Sequence, residues 1–254
     1  MHKANISESC KTHVNLTERR PRHVLQKTRE VYGDVQKLRK LNGLDENALP
    51  SFPVRAVTPA DVRGLADKTL ADVKEVREKS GASAPAAAPL PSGKKPTDVY
   101  ANLIRVRASI GRLGIPTTVP NDVYRVALAI VSDIEKIRAA KGVMVAVTVP
   151  RASKGKAPKD VYGVAYKLLG KVKALTKKDG YGIPGGVVMP NKVSGCITPA
   201  EVIDILNNIL AEVGAVKVTV GATAATEFAG AQSGKTPSDV YDALVKAEAL
   251  VDSL

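Results

Sequence analysis

The chain has 254 residues, a formal net charge of +13, seven Tyr, two Phe and no Trp. A hydrophobic fraction of 44% beside a charged fraction of 25% fits an ordered soluble protein and excludes a collagen, a disulfide scaffold and a wholly disordered chain. No apolar run approaches the ~18 residues needed to cross a bilayer, which excludes an integral membrane protein.

The N-terminal segment 1–20 has no apolar core of the kind that a signal peptide needs, and we expect it to form a poorly ordered tail. The compartment stays open: cytoplasmic, or periplasmic or secreted if a leader has been removed. Cys10 and Cys196 lie far apart and not at zinc-binding spacing. We expect two free thiols; the alternative is one disulfide in an oxidising compartment.

An internal repeat is the strongest signal in the sequence. The string Pro-x-Asp-Val-Tyr occurs four times, and three weaker copies keep its Pro and its Val. The prolines are spaced 38, 37, 24, 38, 41 and 38 residues apart. They are Pro21, Pro59, Pro96, Pro120, Pro158, Pro199 and Pro237.

Each copy predicts a helix start, because Pro is favoured at the first helical position, where its missing N–H is not needed. The acid two residues later is then placed to accept a hydrogen bond from the N-cap backbone. Since it occurs once per repeat, we favour capping over catalysis or metal binding. His23 replaces the acid in the first copy, so we expect a weaker start there. The predicted capping residues are Asp61, Asp98, Asp122, Asp160, Glu201 and Asp239.

Mostly apolar residues follow each Pro at positions 3, 7, 10, 14 and 17, the spacing of helices packed in a left-handed bundle. We call these five positions the seam. Glycines after most copies predict helix ends, giving helices of about 18–22 residues. The sequence therefore predicts an all-α fold over 21–254: a seven-helix repeat protein forming one elongated helical bundle, or two adjacent bundles, with long extended connectors.

The connectors predict part of the topology. Only residues 115–119 separate Gly114 from Pro120, too few to return along a helix ~30 Å long. We therefore expect the third and fourth helices to form an antiparallel hairpin. Alternating valines in 143–149 and 216–220 predict strand-like extended segments.

Two further patterns suggest ligands but have structural explanations. Residues 229–236, AGAQSGKT, match a relaxed P-loop, yet no strand precedes them, so we interpret Thr236 as an N-cap. A tyrosine recurs at the start of four helices, where it either stacks on bases or sugars or packs on the incoming connector; we favour packing. These are Tyr100, Tyr124, Tyr162 and Tyr241.

Charge is unevenly distributed near the C-terminal end. Residues 151–198 hold 10 basic and 2 acidic side chains, whereas 199–254 hold 3 and 8; such regions can pair within the chain or between copies. The basic fifth repeat is the best candidate surface for a polyanion, and the alternative is a solvated helix face. The candidate residues are Arg151, Lys154, Lys156, Lys159, Lys167, Lys171 and Lys178.

The sequence predicts no catalytic constellation, no cofactor and no metal site. We expect a non-enzymatic structural or scaffolding protein whose partner is another protein or a second copy of itself. One alternative is a polyanion-binding protein that binds nucleic acid, acidic polysaccharide or anionic lipid. Another is a sensor or enzyme with a pocket in the bundle, marked by polar seam residues such as Thr28 and Thr69. We expect those two threonines to mark solvent-facing terminal repeats.

Overall fold

A computed structural model describes residues 17–86, 88–89, 91–149 and 151–254. All regular secondary structure in these ranges is helical, as predicted, and each of the seven helices begins at a repeat proline. The helices are α1 (Pro21–Leu41), α2 (Pro59–Lys79), α3 (Pro96–Gly111), α4 (Pro120–Ala140), α5 (Pro158–Leu175), α6 (Pro199–Thr219) and α7 (Pro237–Asp252).

The helix starts follow from the repeated Pro and acid. At the start of α4, the Val119 N–H donates to Asp122 Oδ2 over 3.1 Å. His23 serves the same purpose in α1, because its Nδ1 accepts from the Arg20 N–H at 3.0 Å. A glycine closes most helices; Gly142, for example, has a φ of 68°, which side chains with a Cβ rarely adopt.

Helices α4 to α7 form a closed bundle in which α4 and α5 each pack against both α6 and α7. The first Pro and the first Val of all four helices surround one small cavity, so the four helices run parallel. Their seam residues within the helices are at most 4% exposed. The seam is therefore the core of this bundle.

Parallel neighbours require each connector to return along the bundle. The connector 220–236 does so beside α4, where Lys136 Nζ donates to the Ala225 carbonyl at 2.6 Å and Arg125 Nε to the Ala229 carbonyl at 2.9 Å. Neither predicted valine strand forms among the described residues. Residues 143–149 are irregular, and 216–219 continue α6, because Val216 still occupies a buried seam position.

Helices α1 to α3 form a second, open unit. α1 packs against α2 and α3, which do not touch each other. Gln36 Nε2 in α1 donates to Asp72 Oδ2 in α2 at 2.6 Å, and Arg107 Nε in α3 donates to Asp34 Oδ2 in α1 at 3.0 Å. These contacts join residues at similar distances from the helix starts, so the three helices are parallel.

The predicted solvent-facing role of Thr28 and Thr69 is wrong. Both side chains are buried in the open unit. Each hydroxyl donates to a carbonyl one turn earlier in its own helix, that of Val24 at 2.9 Å or that of Leu65 at 2.7 Å. This hydrogen bond lets threonine enter an apolar seam without an unsatisfied polar group.

The two units run in opposite directions and meet through α1 and α6. His23 near the start of α1 contacts Glu212 in the second half of α6, and Lys27 farther along α1 contacts Asp204 near the start of α6. α3 therefore runs opposite to α4, as the short connector predicts. The two helices do not pack against each other in the described residues, because each is held by its own unit.

Candidate functional site

A group of buried polar side chains lies between α1 and α6. On α6, Asp204, Asn208 and Glu212 follow one another at four-residue steps and so lie on one face of the helix. Glu212 is fully buried. It accepts from Arg22 Nε at 2.8 Å, pairs with His23 Nε2 at 2.9 Å, and accepts from the Val188 N–H at 2.8 Å.

The contacts of His23 define its protonation state. Nδ1 accepts from the Arg20 backbone, so Nε2 carries the proton that is donated to Glu212. Burial lowers the pKa of His23 below its usual value, although Glu212 opposes this shift. Burial alone would raise the pKa of Glu212, but the His23 hydrogen bond and the Arg22 charge outweigh it and hold that pKa low. The pair is therefore a neutral imidazole beside a carboxylate.

A second ionic group joins α1, α3 and α6. Lys27 Nζ lies 2.5 Å from Asp204 Oδ1 and 2.6 Å from Glu30 Oε2. Arg107 of α3 reaches Glu30 Oε1 at 2.7 Å. Burial opposes the charges of Lys27 and Arg107, but the carboxylates outweigh it and raise the pKa of each cation.

These charged residues fix the two units to each other. Breaking a buried ion pair leaves an uncompensated charge, which strongly destabilises a protein. None of the predicted sites included this region. The four-residue spacing of polar residues on α6 could have indicated this region. It is a weak signal beside the seam and capping positions, which account for most of the repeat.

The predicted polyanion-binding residues are only partly available. Lys167 Nζ lies 3.2 Å from Glu248 Oε2, and Lys171 Nζ lies 2.5 Å from Asp252 Oδ2, so α5 and α7 pair their opposite charges. Lys156 lies over the ring of Tyr241 at 4.4 Å. Lys167 still leaves 66% of its side chain exposed. The remaining predicted residues are exposed as well: Arg151, Lys154, Lys159 and Lys178.

The repeated tyrosines pack on connectors, but on those that lead into neighbouring helices. Lys235, just before α7, lies 4.8 Å from the ring centre of Tyr124 in α4. Arg19, just before α1, lies 4.4 Å from that of Tyr100 in α3. The Tyr162 hydroxyl accepts from the Val193 N–H at 3.1 Å. These rings join neighbouring helices at their starts.

The six predicted capping acids each accept a hydrogen bond from the backbone N–H of their own N-cap, at 2.7–3.1 Å. Thr236, the last residue of the P-loop-like string, is one of these N-caps, and its hydroxyl also donates to Asp239 at 2.6 Å. Asp61, Asp98, Asp122, Asp160, Glu201 and Asp239 thus all lie at helix starts.

The expectation of two free thiols is wrong, because Cys196 is disulfide-bonded. The connector 176–198, which holds Cys196, is the longest in the chain, and a cross-link there restrains the unfolded chain. Cys10, His2 and His13 lie outside the described residues. Of the predicted tail, Arg19 is buried, and its backbone N–H donates to Thr97 Oγ1 at 3.0 Å.

A partly apolar surface lies open between α2 and α3. Val99 and Val106 of α3, and Leu113 in the turn that follows α3, occupy seam positions 3, 10 and 17 and are 38%, 45% and 61% exposed. Leu70 of α2 is also exposed, beside half-buried Val73. We call the surface formed by these five residues the open face.

None of the described helices combines the length and the hydropathy that crossing a membrane requires. Among the described residues, no three His, Cys, Asp or Glu side chains are grouped to hold a metal ion. Comparison with protein-family models, curated proteins and solved structures finds no match to the chain. Its function is therefore inferred from its own geometry.

Proposed function

We propose that this protein is a non-enzymatic scaffold that binds other macromolecules through the open face. One observation carries the proposal: α3 exposes seam positions that are buried in α4. Val123, Ile130 and Ile137 occupy seam positions 3, 10 and 17 of α4 and are 3%, 0% and 1% exposed. The equivalent surface of α4 is part of the core of the closed bundle. The open face is therefore suited to bind an amphipathic helix.

The structural roles of the polar side chains also favour a scaffolding function, because many of these side chains stabilise the fold. The repeated acids accept hydrogen bonds from N-cap backbones, and the buried charges of α1 are paired with α3 and α6. Such pairing holds the open face on a well-fixed frame, and preorganisation of this kind favours binding.

A peptide with the sequence of residues 120–140 tests the proposal, because it carries the seam that closes the α4–α7 bundle. We expect this labelled peptide to bind the full chain, as measured by fluorescence anisotropy. Val106→Glu should weaken binding at least tenfold, because a charge then faces an apolar helix. Met144→Glu is the matched control, since Met144 is exposed on the connector between α4 and α5. Equal binding by both variants, or no binding, would overturn the proposal.

Polyanion binding is a second candidate, favoured by the exposed basic side chains Arg151, Lys154, Lys159 and Lys178. Labelled DNA and heparin, titrated at several salt concentrations, provide the test. The logarithm of affinity should fall linearly with that of salt, and Lys154→Glu with Lys159→Glu should make the slope shallower by about 2. Lys246→Glu on α7 is the control. Absence of binding at low salt would contradict this candidate.

The geometry gives less support to a ligand pocket inside the closed bundle. The cavity at the proline ends of its helices measures about 20 Å³, room for about one water molecule. The apolar seam residues fill the space along the rest of the bundle axis.

A further inference from the structure

We infer that a cavity between the open unit and the closed bundle binds a small organic acid, whose carboxylate pairs with Arg29. The cavity is bounded by α1, α3, α4 and α6 and by the connectors that follow α1, α3 and α6. It opens to solvent and has a volume of about 420 Å³. Small-molecule sites typically measure ~300–1,000 Å³. No residue of the open face lines this cavity, so the inference stands apart from the proposed function.

Arg29 is the exception to the pairing of buried charges on α1. It is 7% exposed, and no carboxylate of the described residues pairs with its guanidinium. The other three buried Lys and Arg side chains of α1 each lie within 2.8 Å of a carboxylate oxygen; they are Arg22, Lys27 and Arg39. An uncompensated charge in a protein interior is costly. Such a charge is expected where a bound anion supplies the missing negative charge.

The surroundings of Arg29 hold its guanidinium at the cavity without neutralising it. The guanidinium donates to the Pro50 carbonyl and lies 5.7 Å from the ring centre of Phe228, and both of these residues line the cavity. The ring of Phe52 also lies 5.7 Å away; aromatic rings attract a cation but carry no charge. Nε has no hydrogen-bond partner among the described residues. Burial lowers the pKa of Arg29 to about 10, so the guanidinium is still charged at neutral pH.

The other charges of the cavity wall favour a monoanion. The wall carries four basic and three acidic side chains. Two of the basic residues are already paired, because Lys37 Nζ lies 3.2 Å from Asp34 Oδ1 and Arg107 Nη1 lies 2.7 Å from Glu30 Oε1. One carboxylate neutralises the excess positive charge that remains. A dianion such as phosphate would be repelled more strongly by the acidic side chains.

Apolar side chains line the cavity beside these charges. They come from α4, α6 and the connector between α6 and α7, and include Val126, Ile203 and Phe228. Small-molecule sites combine an apolar lining with a few polar groups that fix the orientation of the ligand. The ligand that fits is therefore a carboxylate on an apolar body, either an aromatic ring or a short alkyl chain.

A second cavity shows that arginines alone do not indicate this chemistry. It has a volume of about 340 Å³ and is lined by Arg20, Arg22 and Arg55. Arg20 donates to a backbone carbonyl over 2.5 Å. Arg22 lies 2.8 Å from Glu212, and Arg55 lies 2.6 Å from Asp61. The guanidinium groups of this second cavity therefore already have partners, unlike that of Arg29.

Calorimetric titration of the full chain at neutral pH with benzoate and with hexanoate is the first test. We expect at least one acid to bind with a dissociation constant of about 1 mM or lower. Benzyl alcohol and hexanol keep the same apolar bodies without the charge, and they should bind more weakly by about tenfold or more. Phenyl phosphate, largely a dianion, should also bind more weakly than benzoate. No binding of either acid, or equal or tighter binding of the alcohols or of phenyl phosphate, would overturn the inference.

Substitution of Arg29 tests whether the acid binds in this cavity. Arg29→Gln keeps a donor for the Pro50 carbonyl but removes the charge, and it should weaken binding of the acid by about tenfold or more. Arg63→Gln on α2 is the matched control, since 85% of the Arg63 side chain is exposed, and it should leave the affinity unchanged. Circular dichroism shows whether each variant folds. Wild-type affinity in folded Arg29→Gln would overturn the inference.

Gly33 allows a second test that keeps Arg29 in place. It lies four residues after Arg29 and so on the same face of α1. Gly33 lines the cavity, and an added Cβ would lie in open space. Gly33→Glu supplies a carboxylate beside the guanidinium, so it should weaken binding of the acid by about tenfold or more and raise the melting temperature of the free protein. Gly33→Gln has nearly the same size without the charge and should weaken binding less. Equal affinities of these two variants would overturn the inference.

Discussion

Seam position 10 is fully buried at Ile130 in α4, whereas at Val106 in α3 the same position is 45% exposed. Both helices begin with Pro-x-Asp-Val-Tyr and carry the seam in the same register. The difference arises because α4 belongs to a square of four helices and α3 to a group of three. A repeat thus supplies an apolar stripe, and the number of neighbouring helices determines whether that stripe becomes core.

The two units also differ in how many charged side chains they bury. The closed bundle is filled mainly by aliphatic residues such as Leu206 and Leu244, beside a buried ion pair between Asp133 and Lys217. α1 buries charged side chains as well, among them Arg22, Lys27 and Asp34. It tolerates them because α2, α3 and α6 supply opposite charges at hydrogen-bonding distance, which offsets part of the desolvation cost.

The largest effect is expected at the charged interface between the units. Glu212→Ala removes the carboxylate that pairs with Arg22 and His23 and leaves a buried guanidinium uncompensated. We expect the free energy of unfolding to fall by about 3–5 kcal/mol, as measured by urea denaturation. Glu135→Ala breaks the half-exposed pair with Lys246 and should cost about 0–1 kcal/mol. Equal losses would show that the interface is not a stabilising contact.

A matched pair of truncations compares the closed and open seams directly. Ile130→Ala leaves a cavity in the closed bundle and should lower the free energy of unfolding by about 2–5 kcal/mol. Val106→Ala should change it by about 0.5 kcal/mol or less, because the side chain is already half in water. Both are measured at a protein concentration too low for copies to associate. A large loss at Val106 would mean that the open face is covered within one chain.

Acid is expected to weaken the charged interface. Because burial lowers the pKa of His23 from its usual 6.5, the unfolded chain binds a proton there at pH values where the folded chain does not. Stability is therefore complete above about pH 6.5 and declines below it, by up to about 1.4 kcal/mol per pH unit until the folded-state pKa is reached. Glu212, whose pKa is held low, adds a loss of the same sign at lower pH.

Urea denaturation between pH 5 and pH 8 measures this dependence. His23→Gln keeps a side-chain acceptor for the Arg20 N–H but does not titrate, so its stability should vary less with pH in this window. If the variant and the wild type decline in parallel, another group carries the dependence.

The smallest effect concerns the helix starts. Thr58 caps α2 through its side chain, whereas Ala157 at the equivalent position of α5 has a similar backbone and no capping hydroxyl. Thr58→Ala should destabilise the protein and Ala157→Thr should stabilise it, each by about 1 kcal/mol. Thermal denaturation of both variants measures this; two changes of the same sign would contradict it.

Much of the local structure was predictable because its causes are local. Each repeat proline begins a helix, and each following acid, such as Asp122, accepts a hydrogen bond from its own N-cap. Glycines such as Gly142 turn the chain at helix ends. The short 115–119 segment required α3 and α4 to run in opposite directions. These features depend on neighbouring residues and on chain length alone.

The buried charges of α1 and the open face were not predictable in this way. Thr28 seemed suited to a solvent-facing repeat, yet its hydroxyl is satisfied by its own helix and the residue is buried. Val216 and Val218 alternate like a strand, yet they extend α6 because the seam and its partners continue to the end of the bundle. In each case, packing against neighbouring helices decided between two outcomes that the local sequence allowed.

Seven helices, their starts and the apolar stripe that each carries can be predicted from the sequence, because Pro, capping acids and heptad spacing act within one helix. The parallel square of α4 to α7, and the vacant place beside α1 to α3, depend on tertiary contacts. Connectors long enough to span a helix permit either direction. An apolar seam likewise specifies that a neighbour is needed, but not which helix supplies it.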